Sequence, residues 1–145
     1  MTSEERSEYV KYRIESARKT LKAAKVLARG EYWNSAANRI YYAVFYAVNA
    51  LLVLNHIHTK SHSATKTQFS LYFVETGKID KKYGRLLSEL FDLRQKGDYE
   101  NVVDYDGSMV GPLFESVDEM IKIIETEINK TKTQKVTPQF SCLTQ

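Results

Sequence analysis

Between residues 31 and 76 the chain contains neither glycine nor proline, a pattern typical of long helices. The whole sequence of 145 residues has only six glycines and two prolines, about half of what average usage would give. Sandwiches and barrels join many short strands by turns, so the shortage of turn-forming residues argues against them. A chain of this length buries roughly two thirds of its unfolded surface, so it can form one domain without a disulfide or a metal.

Apolar residues recur at intervals of three and four along most of the chain, which is the period of an amphipathic helix. The second of these segments is apolar nearly all round, as suits a helix that other helices surround. We therefore predict an all-α, antiparallel helix bundle of four main helices plus a short helix. The main helices are expected at about 9–28, 32–55, 81–96 and 108–130, and the short one at about 63–76, with Ser63 and Ser108 as N-caps.

Residues 1–130 are expected to form a single helical domain. Beyond Lys130 the sequence is polar and aperiodic, so residues 131–145 are predicted to be a flexible C-terminal tail. The polar N-terminus does not resemble a secretory signal, and the longest apolar run falls short of the about 20 residues of a bilayer span. The single cysteine, Cys142, has no internal disulfide partner. We expect a cytoplasmic protein that does not bind a membrane.

The net charge of +3 is too small to indicate nucleic-acid binding, but its distribution is uneven. Residues 1–30 carry eight basic and four acidic side chains, whereas residues 98–127 carry nine acidic side chains and one lysine. This asymmetry is compatible with a charged ligand, with a complementary partner, or with plain solvation of two surfaces.

An arginine lies on an apolar helix face. Arg94 continues the row of Tyr83, Leu87 and Leu90 at helical spacing, so it shares the face that packs the bundle. A guanidinium there needs a partner or a cleft. Arg94 therefore either contributes to a site or simply pairs with a neighbouring carboxylate, such as that of Asp98, or reaches solvent.

Further polar side chains are embedded in the tyrosine-rich second segment. They either line a pocket that faces Arg94 or form a satisfied core network. These residues are Ser35, Asn38, Arg39, Tyr42 and Asn49.

The three histidines follow the spacing H-x-H-x3-H, at His56, His58 and His62. No cysteine or carboxylate lies near enough in the sequence to complete a metal site, so we predict no metal and expect these histidines to be solvated. No phosphate-binding loop, dinucleotide fingerprint, zinc-protease motif or nucleophile elbow is present, and no cofactor is expected.

Four segments, in their order and spacing, resemble the HEPN (higher eukaryotes and prokaryotes nucleotide-binding) domain over about residues 8–130. They read AANRIYYAVFYA from residue 36, TKSH from residue 59, F…FVETG from residue 69, and LRQKGDY from residue 93. The resemblance implies a bundle of four main helices plus a shorter one, commonly a homodimer. Many members are paired with a minimal nucleotidyltransferase in toxin–antitoxin systems.

Ribonuclease members of this family carry an Arg-x4–6-His motif, and the resemblance assigns its arginine to Arg94. A guanidinium there would stabilise negative charge on the scissile phosphate. The window that should contain the histidine holds Tyr99 and Asn101 instead, and a tyrosine with a pKa near 10 is a poor base. In some members a tyrosine just after the motif receives AMP from the partner enzyme. The resemblance therefore implies Tyr99 as such an acceptor, with Tyr105 second.

Three functions remain open from the sequence. The first is a nucleotide- or phosphate-binding regulatory module that partners a minimal nucleotidyltransferase. The second is a metal-independent ribonuclease toxin that uses Arg94, with Tyr99 or Asn101, at a dimer cleft. The third is a protein interaction domain without a ligand. The residues predicted to bind a nucleotide are Arg94, Asp98, Tyr99, Ser35, Asn38, Arg39 and Tyr42.

Overall fold

The computed structural model describes the backbone of residues 1–99 and 104–144, and the side chains of residues 1–96 and 104–132. Within these ranges the chain forms helices and connecting turns, without a strand. The helices are α1 (Ser3–Arg29), α2 (Trp33–Leu54), α3 (His62–Phe69), α4 (Lys81–Tyr99), α5 (Gly107–Val110) and α6 (Leu113–Thr144). A π-helical turn, Ser70–Val74, continues α3. The prediction of four main helices and a short one is confirmed, and α5 adds a single turn.

Helix α2 is the centre of the bundle and contacts α1, α3, α4, α5 and α6. It has the length and hydropathy of a membrane-spanning helix, but 67% of its apolar window is buried by the rest of the chain. Four alanines with no exposed surface allow neighbouring helices to approach it closely. They are Ala36, Ala43, Ala47 and Ala50.

Helices α1 and α2 form an antiparallel hairpin. The start of α1 meets the end of α2, where Arg6 Nη1 donates to the Val53 carbonyl oxygen at 2.6 Å. One turn further, the Tyr9 hydroxyl donates to Asn49 Oδ1 at 3.0 Å. The polar side chain of Asn49 therefore has a partner on α1.

The basic α1 packs against the acidic α6. Arg18 Nη1 lies 2.8 Å from Asp118 Oδ1, and Arg18 Nε donates to Glu125 Oε1 at 2.8 Å. Hydrogen bonding from Lys122, and to a smaller extent from Arg18, holds the pKa of Asp118 below its ordinary value. Ion pairs between α1 and α6 therefore neutralise part of the charge asymmetry seen in the sequence.

Two helix starts differ from the prediction. Ser61, not Ser63, is the N-cap of α3, because it has extended backbone angles and its Oγ accepts from the Ala64 amide at 3.0 Å. Asp106, not Ser108, caps the short helix α5, through a hydrogen bond of 3.1 Å from the Met109 amide. The earlier start of α3 places His62 in its first turn.

The backbone of α6 is helical to Thr144, beyond the expected end at Lys130. Polarity and aperiodicity suggest an end there, but the sequence has no glycine after residue 130 and no proline before Pro138 to interrupt the helix. The flexibility of residues 131–145 stays a prediction.

Candidate functional site

Three helices bring aromatic and basic side chains together on one side of α2. Helix α2 contributes side chains at helical spacing, α3 contributes its first residue, His62, and α4 contributes Arg94. We call this group the arginine–tyrosine cluster. Its members are Arg39, Tyr41, Tyr42, Phe45, His62 and Arg94.

Two guanidinium groups lie against the ring of Tyr42. The Cζ atom of Arg94 is 5.4 Å from the Tyr42 ring centroid and 5.6 Å from that of Tyr41. The Cζ atom of Arg39 is 4.8 Å from the Tyr42 centroid. Both arginines are half-buried, so aromatic rings stabilise two positive charges in a partly desolvated place. Such a concentration of cations favours an anionic ligand.

Asn38 orients one of these arginines. Its Oδ1 accepts from Arg39 Nε at 3.2 Å and from Arg39 Nη2 at 2.9 Å. Ser35 lies at helical spacing from both residues and is exposed. The structure thus brings Asn38, Arg39 and Tyr42 into one group with Arg94, and leaves Ser35 at its solvent-facing end.

His62 is a member of the cluster that the sequence does not predict. Its Nδ1 lies 2.6 Å from the Tyr41 hydroxyl, and its ring stacks on Phe45 with a centroid distance of 4.2 Å. The expectation of solvated histidines is therefore wrong for His62, although His56 and His58 are exposed. The signal that could have found it is Ser61, because a cap at Ser61 places His62 in the first turn of α3.

The protonation states of the cluster follow from its surroundings. Burial, and secondarily the charge of Arg94, lowers the pKa of His62, so the imidazole is neutral at neutral pH. Burial raises the pKa of the Tyr41 hydroxyl far above its ordinary value, so Tyr41 keeps its proton. The cluster therefore combines fixed positive charge with a neutral imidazole.

A second arginine–aromatic contact adjoins the cluster on α1. Arg13 Nε donates to the Tyr9 hydroxyl at 3.0 Å, and its Cζ lies 5.0 Å from the Tyr46 ring centroid. Tyr46 in turn lies 6.0 Å from Tyr42, measured between ring centroids. Sequence reasoning missed Arg13, because only the α1–α2 packing brings it to the tyrosines of α2.

The remaining predicted site residues lie in or near the segment after Arg94. The side chains of Asp98 and Tyr99, and all of Asn101, are outside the described residues. Tyr105 is 6% exposed, and its hydroxyl donates to the Leu93 carbonyl oxygen at 2.6 Å. In this conformation the Tyr105 hydroxyl is engaged inside the fold.

Two further features were considered as sites among the described residues, a groove and possible groups of metal ligands. A groove of about 460 Å³ between α3 and α4 has basic and acidic lining residues, among them Lys66, Arg85, Glu89 and Asp92, and none from the cluster. In the part of the chain that the structure describes, no three histidine, cysteine or acidic side chains are grouped to hold a metal ion.

A family model of the HEPN domain matches residues 10–130. The chain belongs to the HEPN domain family. This agrees with the helical bundle.

One relative is matched over nearly its whole length. A UPF0332 protein of Thermotoga maritima is 34% identical over 128 residues, which cover 88% of this chain and 97% of the relative. Two proteins of Methanocaldococcus jannaschii, named as candidate toxins, are 40% and 35% identical. Those two matches cover 59% and 63% of this chain and 64% and 62% of the relatives.

The electrostatic contact between Arg94 and His62 can be measured. We expect Arg94→Gln to raise the pKa of His62 towards its ordinary value, because removing a neighbouring cation makes the imidazolium less unfavourable. NMR titration of the imidazole signals measures the shift. Arg85→Gln, at an exposed position of the same helix, is the control and should leave it unchanged. An equal pKa in wild type and Arg94→Gln would contradict the geometry.

Proposed function

We propose that this HEPN protein is the nucleotide- or phosphate-binding module of a toxin–antitoxin-type pair, and that it binds its ligand at the arginine–tyrosine cluster. The observation that carries the proposal is the placement of Arg94 and Arg39 against the ring of Tyr42. The proposal includes a homodimer in the cytoplasm and a minimal nucleotidyltransferase as partner.

The cluster has the two kinds of group that nucleotides and RNA require. Guanidinium groups form charge-assisted hydrogen bonds with phosphate oxygens in a fixed geometry. Tyrosine rings stack on bases of any sequence. Tyr42 contacts both guanidiniums, so a base against this ring would have its own phosphate within reach of an arginine.

The pairing with another protein rests on the family. Relatives named as candidate toxins support a toxin–antitoxin context. The nucleotidyltransferase partner comes from the HEPN resemblance, in which such pairs are common. A regulatory module of this kind would respond to a nucleotide at the cluster or to modification near it.

Ligand binding is tested by titrating the protein with AMP, ATP and a short oligoribonucleotide. We expect saturable binding to at least one of them, and Arg94→Ala and Arg39→Ala should each weaken it. A hydrogen bond to a charged group contributes about 1.5–3 kcal/mol, which corresponds to a loss of about 10- to 100-fold.

Arg85→Ala is the matched control for these variants, because Arg85 lies on α4 with Arg94 but outside the cluster. Thermal melts establish that each variant is folded. A flat titration at millimolar ligand, or an equal loss of affinity in Arg85→Ala, would overturn the binding proposal. A protein interaction domain without a ligand would then be the remaining function.

The partner is tested by co-expressing the chain with a minimal nucleotidyltransferase from a neighbouring reading frame. We expect the two proteins to copurify, and mass spectrometry to find AMP on Tyr99. Tyr99→Phe should remove the modification, whereas Tyr105→Phe should keep it, because the Tyr105 hydroxyl is engaged with Leu93. Modification of Tyr105 alone, or of neither tyrosine, would contradict this assignment.

A further inference from the structure

We propose that Arg13 forms a second anion-binding subsite beside the arginine–tyrosine cluster, and that the ligand is a nucleotide with phosphates on two separate positions of its ribose. A nucleoside 3′,5′-bisphosphate is such a ligand. The inference rests on the proposed binding function and deepens it by naming the ligand class. It assigns one phosphate to Arg39 and Arg94 and the other phosphate to Arg13.

Arg13 and Arg39 lie against neighbouring tyrosine rings of one helix face. Arg39, Tyr42 and Tyr46 follow each other on α2 at intervals of three and four residues, so their side chains share a face. The Cζ atom of Arg39 is 4.8 Å from the Tyr42 ring centroid, and that of Arg13 is 5.0 Å from the Tyr46 ring centroid. The two ring centroids are 6.0 Å apart. Each ring of this pair therefore has its own arginine.

Three tyrosine rings surround the guanidinium of Arg13. Its Cζ atom lies 5.3 Å, 5.8 Å and 5.0 Å from the ring centroids of Tyr9, Tyr12 and Tyr46. Tyr12 is 57% exposed, whereas Arg13 and the other two rings are half-buried. Aromatic faces stabilise a cation without neutralising its charge. The charge of Arg13 therefore remains available to an anion that approaches from solvent.

A chain of hydrogen bonds fixes the direction of this guanidinium. Arg13 Nε donates to the Tyr9 hydroxyl at 3.0 Å, and that hydroxyl donates to Asn49 Oδ1 at 3.0 Å. In the part of the chain that the structure describes, Arg13 has no carboxylate partner, and its Nη1 and Nη2 atoms have no hydrogen-bond partner. These two nitrogens can donate to two oxygens of one phosphate, which is the geometry that arginine uses with phosphate.

Arg18, on the same helix, shows the contrast. Its guanidinium is 2.8 Å from Asp118 Oδ1 and also donates to Glu125 at 2.8 Å. Carboxylates of α6 therefore already occupy the groups with which Arg18 could hold an anion. Arg13 is oriented by a neutral tyrosine hydroxyl instead, so it keeps both its charge and its free donors.

The separation of the two subsites favours phosphates that are not adjacent. Arg39 and Tyr46 are seven residues apart, which corresponds to about 10 Å along the axis of α2. In a polyphosphate chain, neighbouring phosphorus atoms share an oxygen and lie close together. The 3′ and 5′ positions of a ribose instead place two phosphates on different sides of the sugar. A nucleoside 3′,5′-bisphosphate can therefore present its base to Tyr42 and one phosphate to each subsite.

The test is a titration of the full-length chain with AMP, ATP and adenosine 3′,5′-bisphosphate, in the wild type and in Arg13→Gln. We expect the wild type to bind the bisphosphate about 10-fold more tightly than AMP, as one further charge-assisted hydrogen bond provides. Arg13→Gln should abolish this preference and leave the affinities for AMP and ATP unchanged.

Lys11→Gln is the matched control, because Lys11 is an exposed cation on the same helix. It should keep the preference for the bisphosphate. A preference that survives in Arg13→Gln, or is lost equally in Lys11→Gln, would overturn the role of Arg13. An equal loss of AMP affinity in Arg13→Gln would overturn it too, because Arg13 would then support the cluster itself. An equal Arg13-dependent gain for ATP would overturn the separated arrangement of the phosphates.

The affinity for AMP separates this inference from the proposed function. AMP that binds in an Arg94-dependent way, without a preference for the bisphosphate, would overturn the second subsite and leave the binding function standing. Absence of binding by all three nucleotides would overturn the second subsite, and the titration with an oligoribonucleotide would then decide the proposed function alone.

Side-chain NMR of the wild-type protein gives a readout that does not depend on the folding of a variant. The Nε–H signal of an arginine responds to a phosphate bound at its guanidinium. AMP should shift the signals of Arg39 and Arg94, and adenosine 3′,5′-bisphosphate should shift that of Arg13 in addition. An Arg13 signal that the bisphosphate leaves in place would contradict the second subsite.

Discussion

The burial of α2 is the constraint on which the rest of this structure depends. Helix α2 has a single charged residue, Arg39. The apolar surface of the helix must therefore be removed from water. Five other helices cover it, and its alanines let them approach closely. The polar and aromatic side chains that remain half-buried lie at intervals of three and four residues, so they form one stripe. The arginine–tyrosine cluster lies on this stripe, where α3 and α4 meet α2.

The helical bundle could be predicted from the sequence because it depends on local signals. The scarcity of glycine and proline and the period of the apolar residues are properties of short segments. They predict the main helices and their order, but not the separate turn of α5 or the extension of α6 to Thr144. The caps were less accurate, since Ser61 and Ser63 are equally suitable residue types. Only the backbone conformation at Ser61 decides between them.

The site was predictable in part. Arg94, Arg39, Asn38 and Tyr42 stood out because polar groups on apolar helix faces need partners, and the structure brings these four together. His62 did not, because its contacts depend on the packing of α3 against α2, across 21 residues of sequence from Tyr41.

The central claim is that Arg94, Arg39 and Tyr42 bind one nucleotide or phosphate ligand. The most direct test is a crystal structure of the chain with whichever of AMP, ATP and a short oligoribonucleotide it binds most tightly. We expect a phosphate oxygen within hydrogen-bond distance of the Arg94 or Arg39 guanidinium and a base against Tyr42. A ligand bound instead in the groove between α3 and α4, away from these three residues, would contradict the claim.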